Sequence, residues 1–214
     1  MMGALTPFAA SASINLIQDG DFATPVLNPG GYEYGATGTP WNFASLAFNG
    51  PAPSGSGVTY LPSAWDGGRS APPPGTQVAF LQGAGGVLSQ TMTGVSAGAY
   101  DLTFIDAGRP AVGSSYGGDL TFQVLINGNV VDTLTTVDGQ AFAPVTLDVS
   151  LINGDNTLEF AGFSANNYNG DDSAFIANVS LTAVPEPATI LSGVLMLLPF
   201  GASTLRILRR NRAA

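Results

Sequence analysis

The 214-residue chain has no cysteine and no histidine, and its six cations are all arginine. Each absence closes off chemistry. There can be no Ser-His-Asp triad, thiolate nucleophile, lysine Schiff base, phosphate-cradling lysine or Cys/His zinc centre. There is no disulfide framework from which a redox compartment could be read. Basic charge is scarce: six arginines stand against 15 acidic residues, for a net charge of −9. That balance argues against the phosphate backbone of a nucleic acid as partner. Glycine (28) and proline (15) are abundant but stay below the level that marks low-complexity disorder. The length suits one domain with short terminal segments.

What charge there is falls into two blocks. Residues 13–184 carry Arg69 and Arg109 against 14 carboxylates, a net charge of −12. Residues 185–214 carry one acid, Glu186, against Arg206, Arg209, Arg210 and Arg212, a net charge of +3. The two blocks are built for different surroundings. The second opens with Pro185-Glu186-Pro187 and continues from Ala188 to Leu205 without a charge. As a helix those 18 residues would span about 27 Å, against ~30 Å for the hydrocarbon core of a bilayer. Pro199 would kink such a helix, which membrane spans tolerate. The arginines that follow would stay on the cytoplasmic side, leaving the acidic body outside the inner membrane. The competing reading is a C-terminal amphipathic helix packed on the body's own core, but no polar face precedes Arg206.

In this order the three parts resemble the PEP-CTERM sorting signal: Pro185, Glu186 and Pro187 for recognition, a single transmembrane helix over about 188–205, and the membrane stop at Arg206, Arg209, Arg210 and Arg212. The resemblance covers about 30 residues and implies an exosortase-type processing enzyme as partner. It also implies a Gram-negative bacterium that makes exopolysaccharide, with the protein in transit through the inner membrane and then at the cell surface or in the extracellular matrix. Export needs a leader. Residues 1–12 include a small, apolar stretch ending Ala10-Ser11-Ala12, which fits a signal-peptide cleavage site but has no basic residue before it. A truncated signal peptide is the expectation for residues 1–12.

Residues 13–184 read as sheet. The dominant period is two, with Gly, Asn and Asp marking the turns. Leu120, Phe122, Val124 and Ile126 alternate with Thr121 and Gln123, and Asn127-Gly128 then suits the positive φ values of a type I′ hairpin turn. Further strands are expected at 77–82, 87–93, 100–106, 145–151, 157–163 and 174–182, where Phe175, Ala177, Val179 and Leu181 alternate cleanly. Residues 15–17 and 41–48 look like strands, whereas 50–57 and 71–75 read as loops. Eight to ten short strands with no sustained helical period predict an all-β fold, an antiparallel sandwich.

Three segments of the body have a family look. Asn15-Leu16-Ile17-Gln18-Asp19-Gly20-Asp21-Phe22 resembles the opening of galactose-binding-like jelly rolls, which include many carbohydrate-binding modules. Leu151 to Phe160 and Ala174 to Leu181 resemble the last two strands of that fold. The resemblance implies a jelly-roll sandwich with glycan or matrix polysaccharide as partner, and in several such modules a structural calcium. Here the opening acid is replaced by Ala23 and the final-strand acid by Ala177 or Asn178, so two carboxylates of that calcium site are missing. Asp21, Asn178 and the Asp171-Asp172 pair remain as metal candidates.

The enzymatic chemistry left open is carboxylate-dependent glycoside hydrolysis, for which Asp106, Asp119, Asp171 and Asp172 are loop-adjacent candidates. The competing reading is stronger, because carboxylates beside glycine usually cap turns. The expectation is therefore a non-catalytic protein without a required cofactor. Sugar binding needs an exposed aromatic platform and polar groups for hydroxyls. Trp41, Trp65, Arg69, Arg109 and Tyr116 are the candidates, with Tyr32, Tyr34 and Tyr60 also available. Trp41 could instead fill the core, and Arg109 could simply pair with a carboxylate. A structural or adhesive surface protein with no small-molecule site is the alternative.

Overall fold

The computed structural model describes residues 14–45, 55–63, 76–110, 118–165 and 172–185. The chain divides into two compact units, Met1–Ala183 and Val184–Ala214, and of the second only Val184 and Pro185 are described. The membrane span expected over 188–205 and residues 1–12 therefore lie outside the described residues. Among those described, no helix is long and apolar enough to cross a membrane.

The first unit is an all-β sandwich. Its strands are β1 (Tyr32–Tyr34), β2 (Asn42–Ser45), β3 (Gly55–Leu61), β4 (Thr76–Gln82), β5 (Gly86–Val95), β6 (Gly98–Gly108), β7 (Leu120–Ile126), β8 (Asn129–Thr136), β9 (Ala143–Leu151), β10 (Gly154–Ala165) and β11 (Ser173–Ala183). They form a six-stranded sheet, β1-β3-β4-β11-β6-β9, and a five-stranded sheet, β2-β5-β10-β7-β8. Within these, β4 to β11 cross between sheets at every step except the β7–β8 hairpin, giving the orders 4-11-6-9 and 5-10-7-8, the winding of a jelly roll. Every described ladder between named strands is antiparallel. The expected sandwich is present, and all six strands from β4 to β11 that were read singly, together with the two strands of the Asn127-Gly128 hairpin, fall where expected. Asn127 and Gly128 take φ of 52° and 76°.

Period two explains the core. Leu102 and Phe104 of β6, Phe122 and Val124 of β7, Leu158 and Phe160 of β10, and Ala79 and Leu81 of β4 meet between the sheets in one cluster. Phe160 anchors it, with ring centroids 5.1 Å from Phe104 and 6.4 Å from Phe122. The six-stranded sheet also buries part of its other face, over β3, β4 and the first half of β11. Leu61, Val78, Phe80, Ala107, Phe175 and Ala177 form a second cluster, which is why β4 and the first half of β11 read as nearly continuous apolar runs.

Three expectations are corrected. Residues 55–57, read as loop, begin β3. Gly57 is required there, because a Cβ would meet the Glu33 carbonyl oxygen at 2.0 Å and the Phe80 ring at 2.7 Å. Residues 15–17 form no strand: only Asn15 makes a bridge, to Thr182. Its Oδ1 instead accepts the Ile17 and Leu181 N–H groups at 3.0 and 2.9 Å, stapling the segment to the end of β11. The alternation Phe175, Ala177, Val179, Leu181 is not one face. A bulge between Ala177 and Ser180, with Asn178 at φ 53°, places Phe175 and Ala177 on the outer face but Val179 and Leu181 in the main core.

Candidate functional site

Register brings chemistry together on the outer face of the six-stranded sheet. Tyr32 and Tyr34 on edge strand β1 stand opposite Thr59 and Gly57 on β3. Gly57 is opposite Phe80, and Phe80 is opposite Phe175, which is opposite Ala107. Two residues further along runs a polar row: Gln82 lies opposite Ser173, whose carbonyl accepts the Arg109 N–H at 2.9 Å. The Gly83 N–H binds the Asp172 carbonyl at 2.8 Å, so Gln82, Asp172, Ser173 and Arg109 converge at one end of the sheet.

The two tyrosines are the open part of this constellation. Tyr32 is 52% and Tyr34 43% exposed, while Gln82, Ser173 and Arg109 are buried. The Tyr34 hydroxyl donates to Gln82 Oε1. Its ring stands edge-on to Phe80 at 5.0 Å and to Tyr32 at 6.1 Å. An edge-to-face aromatic contact and a buried amide thus fix one ring at two points while leaving part of its surface to solvent. No polar member of the row lacks a partner: Tyr34, Gln82, Arg109, Asp172 and Ser173 each make further interactions.

The expected site residues fare differently. Trp41 is not a platform. It is buried in the main core, 5.1 Å from the Phe22 ring, and its Nε1–H donates to the Asp19 carbonyl at 2.9 Å. Arg109 belongs to the polar row but is buried and lies at the far side of Ser173 from the tyrosines. Trp65, Arg69, Tyr116 and Asp171 lie outside the described residues, as do Glu186, Pro187 and the four terminal arginines; Pro185 is exposed two residues beyond β11. Gln82 was not anticipated. Its signal was its place at the end of the apolar run Val78-Ala79-Phe80-Leu81, in step with the outward Val78 and Phe80.

The metal candidates do not form one cluster. Asp21 and Asn178 are both exposed and flank a single backbone bond, Val179 N–H to the Gly20 carbonyl at 2.9 Å. Asp172 is buried about six residues back along β11, roughly 20 Å away at ~3.3 Å per residue. Calcium takes six to eight oxygens. Among the described residues no group of three acids, histidines or cysteines stands close enough to hold a metal ion. Asp21 and Asn178 alone do not fit that demand.

The described acids do structural work. Asp19 Oδ1 accepts the Ala23 N–H at 2.8 Å and Oδ2 the Thr24 N–H at 3.3 Å. Burial raises its carboxyl above the usual range, opposed by those two backbone bonds. Asp119 Oδ1 accepts the Asp138 N–H at 3.0 Å, a turn cap. Asp106, opposite the core residue Ile176, is 4% exposed and accepts Gln140 Nε2–H at 3.2 Å; burial pushes its carboxyl up, against a bond from its own N–H.

The topology defines a jelly-roll sandwich, and solved structures can be set beside it. No known family model and no curated protein matches the chain. TmCBM61 in complex with β-1,4-galactotriose is 16% identical at a TM-score of 0.45, covering 80% of this chain and all of that one. A structure described as "CBM4 structure and function" is 11% identical at 0.44, covering 78% and 98%. A family 35 carbohydrate-binding module from Clostridium thermocellum is 16% identical at 0.37, covering 50% and 78%. Superpositions this loose assign neither ligand nor site; the fold rests on the strand order itself.

Proposed function

We propose that this chain is an exported, surface-sorted, non-catalytic protein that binds glycan through the tyrosine edge of the six-stranded sheet. The carrying observation is Tyr34: an aromatic ring 43% exposed yet fixed by Gln82 and Phe80, beside a second exposed ring. A rigid ring offers its face to the apolar side of a pyranose at little cost in conformational entropy, and the neighbouring hydroxyl gives it a polar handle. The acidic body favours neutral over anionic polymers, because like charge repels. Sorting rests on the C-terminal sequence: Pro185-Glu186-Pro187, an uncharged stretch and Arg206, Arg209, Arg210 and Arg212.

Two experiments test the two halves. On a glycan array, the full chain should retain at least one neutral oligosaccharide that a Tyr32→Ala/Tyr34→Ala chain does not. Equal retention by both chains rejects the tyrosine edge, and retention of nothing supports a purely structural surface protein. Intact mass and fractionation in the native host should reveal loss of the arginine tail in the wild type but not in a Pro185→Ala/Glu186→Ala/Pro187→Ala chain. An uncut, membrane-held protein in both cases makes the tail a plain anchor.

A further inference from the structure

The β5–β6, β7–β8 and β9–β10 connections meet at one end of the sandwich. Gly98 lies opposite Leu151, Gly154 lies opposite Val95, and the Asn127 N–H reaches the Thr157 carbonyl at 2.9 Å. The chain also leaves the sandwich here, because Ala183, the last residue of β11, stands opposite Tyr100. Asn15 bridges Thr182 in the antiparallel sense, so Ile14 comes beside Ala183.

Three asparagines tie these connections into one piece. Asn156 is buried; it accepts the Ile152 N–H at 3.0 Å and Asn127 Nδ2–H at 2.9 Å, and donates to the Ile152 carbonyl at 2.8 Å. Asn153 Oδ1 accepts the Ala97 N–H at 2.8 Å, and the Tyr100 hydroxyl donates to the Ser96 carbonyl at 2.9 Å. Connections usually leave such backbone groups to water. Here side chains hold them, so drying this end does not orphan them. Apolar side chains are open on that frame: Ile14 is 79%, Ile152 59% and Val130 51% exposed.

Charge is scarce at the same end. Along 96–98, 127–130, 152–156 and 182–183 the one ionised side chain is Asp155. Asp101, Asp132 and Asp148 each stand three residues up their strands from Gly98, Asn129 and Leu151. At ~3.3 Å per residue that is roughly 10 Å, beyond the ~8 Å over which charges act in physiological salt. Asp106, Asp119, Asp138 and Asp172 lie toward the opposite end, with Arg109.

We propose that this end is a lipid-facing surface, which rests in the headgroup layer of the bilayer while the chain is uncut. It depends on the membrane span read over 188–205. The course of the chain selects the occupant. Ala183 is five residues from Ala188, where the uncharged stretch opens, and five residues reach at most about 18 Å. A body of net charge −12 held that close to an anionic leaflet is repelled on every side except an uncharged one. Apolar side chains on an internally bonded polar frame suit the boundary between headgroups and acyl chains. The tether keeps bilayer at high local concentration, so a weak contact through Ile14 and Ile152 is enough. Ala107, in the row that carries Tyr34, is nine positions along β6 from Gly98, so the tyrosine edge stays in water about 30 Å away.

A chain without cysteine can be labelled at one chosen place. Ile152→Cys and, at the opposite end, Val137→Cys replace exposed side chains and each takes a nitroxide; unchanged melting temperatures verify their folding. The full labelled chains are reconstituted into phosphatidylethanolamine–phosphatidylglycerol vesicles, where flotation reads the span and the label reads its surroundings. The proposal expects the label at 152 to collide several-fold less often with a water-soluble nickel chelate than the label at 137. Adding Ile14→Glu should restore the collision rate at 152. Chains that float with both labels equally open to the chelate leave the span standing and overturn the lipid-facing end. A label at 152 that is open in vesicles but shielded in native membranes assigns the end to a protein partner, which overturns it as well. Chains that do not float remove the tether, and the proposal falls with the span.

Discussion

The two sheets treat their outer faces in opposite ways. On the six-stranded sheet, Phe80 and Phe175 point away from the main core yet are almost wholly buried, and the polar row beside them is buried as well. On the five-stranded sheet the outward positions include Thr121, Gln123, Leu125, Thr133, Thr135 and Glu159, with Val130 exposed opposite Leu125. Over β3, β4 and the first half of β11 the first face is therefore a second core with an aromatic margin at Tyr32 and Tyr34, and only toward β9 does it open. The other is an open, low-charge field. The contrast teaches that β-strand pattern reports burial and not merely the sheet. Strands β4 and β11 read as apolar runs because both their faces are covered, whereas β7 and β8 alternate because one of theirs is not.

The largest test of this contrast is truncation. Phe80→Ala should cost about 3–5 kcal/mol, as for any buried phenylalanine, although its side chain lies outside the main core. Phe163→Ala on the open face should cost under about 0.5 kcal/mol. Urea unfolding of both variants checks the pair; similar costs would erase the distinction. Next comes Gly57→Ala. The added carbon must displace the Glu33 carbonyl or the Phe80 ring, pushing β1 off β3. A loss of about 1–3 kcal/mol is expected from overpacking, together with loss of any glycan retained through Tyr32 and Tyr34.

A smaller effect concerns Asp106. Its raised pKa means that the folded chain holds this proton more tightly than the unfolded chain does. Stability should therefore fall as pH rises from the ordinary carboxylate range through the folded value, since an uncharged carboxyl is the form that burial favours. Asp106→Asn keeps an acceptor for Gln140, so it should flatten that slope and melt a few degrees higher at neutral pH. Equal melting profiles across acidic and neutral pH for the two chains would refute the assignment. The smallest effect lies at the sheet edge, where Asp101 and Asp148 stand directly opposite one another. Asp148→Thr should add a few tenths of a kcal/mol, shrinking as salt is raised.

Much of the fold was legible because turns and alternation agree. Asn127-Gly128 announced its hairpin, and Asp19 capped the turn its neighbouring glycine suggested. Strand β3 was hidden because Gly55-Ser56-Gly57 looks like a loop; its glycine serves a close approach that only the β1–β3–β4 register reveals. The direction of β11 was hidden by a bulge at Asn178, which no alternation count can see. The site was less legible than the fold. Trp41, a candidate platform whose competing reading was the core, proved to be core, held by the Asp19 carbonyl. Tyr32 and Tyr34 sit on a three-residue edge strand, too short for a period, and Gln82 acquires its role only by standing across from them.

Hydroxyl-radical footprinting of the full chain, with and without a retained neutral oligosaccharide, tests the central claim most directly. The account predicts that Tyr32 and Tyr34 are oxidised freely in the unliganded protein and are protected on binding. Unchanged oxidation of both tyrosines in the presence of saturating ligand would contradict it.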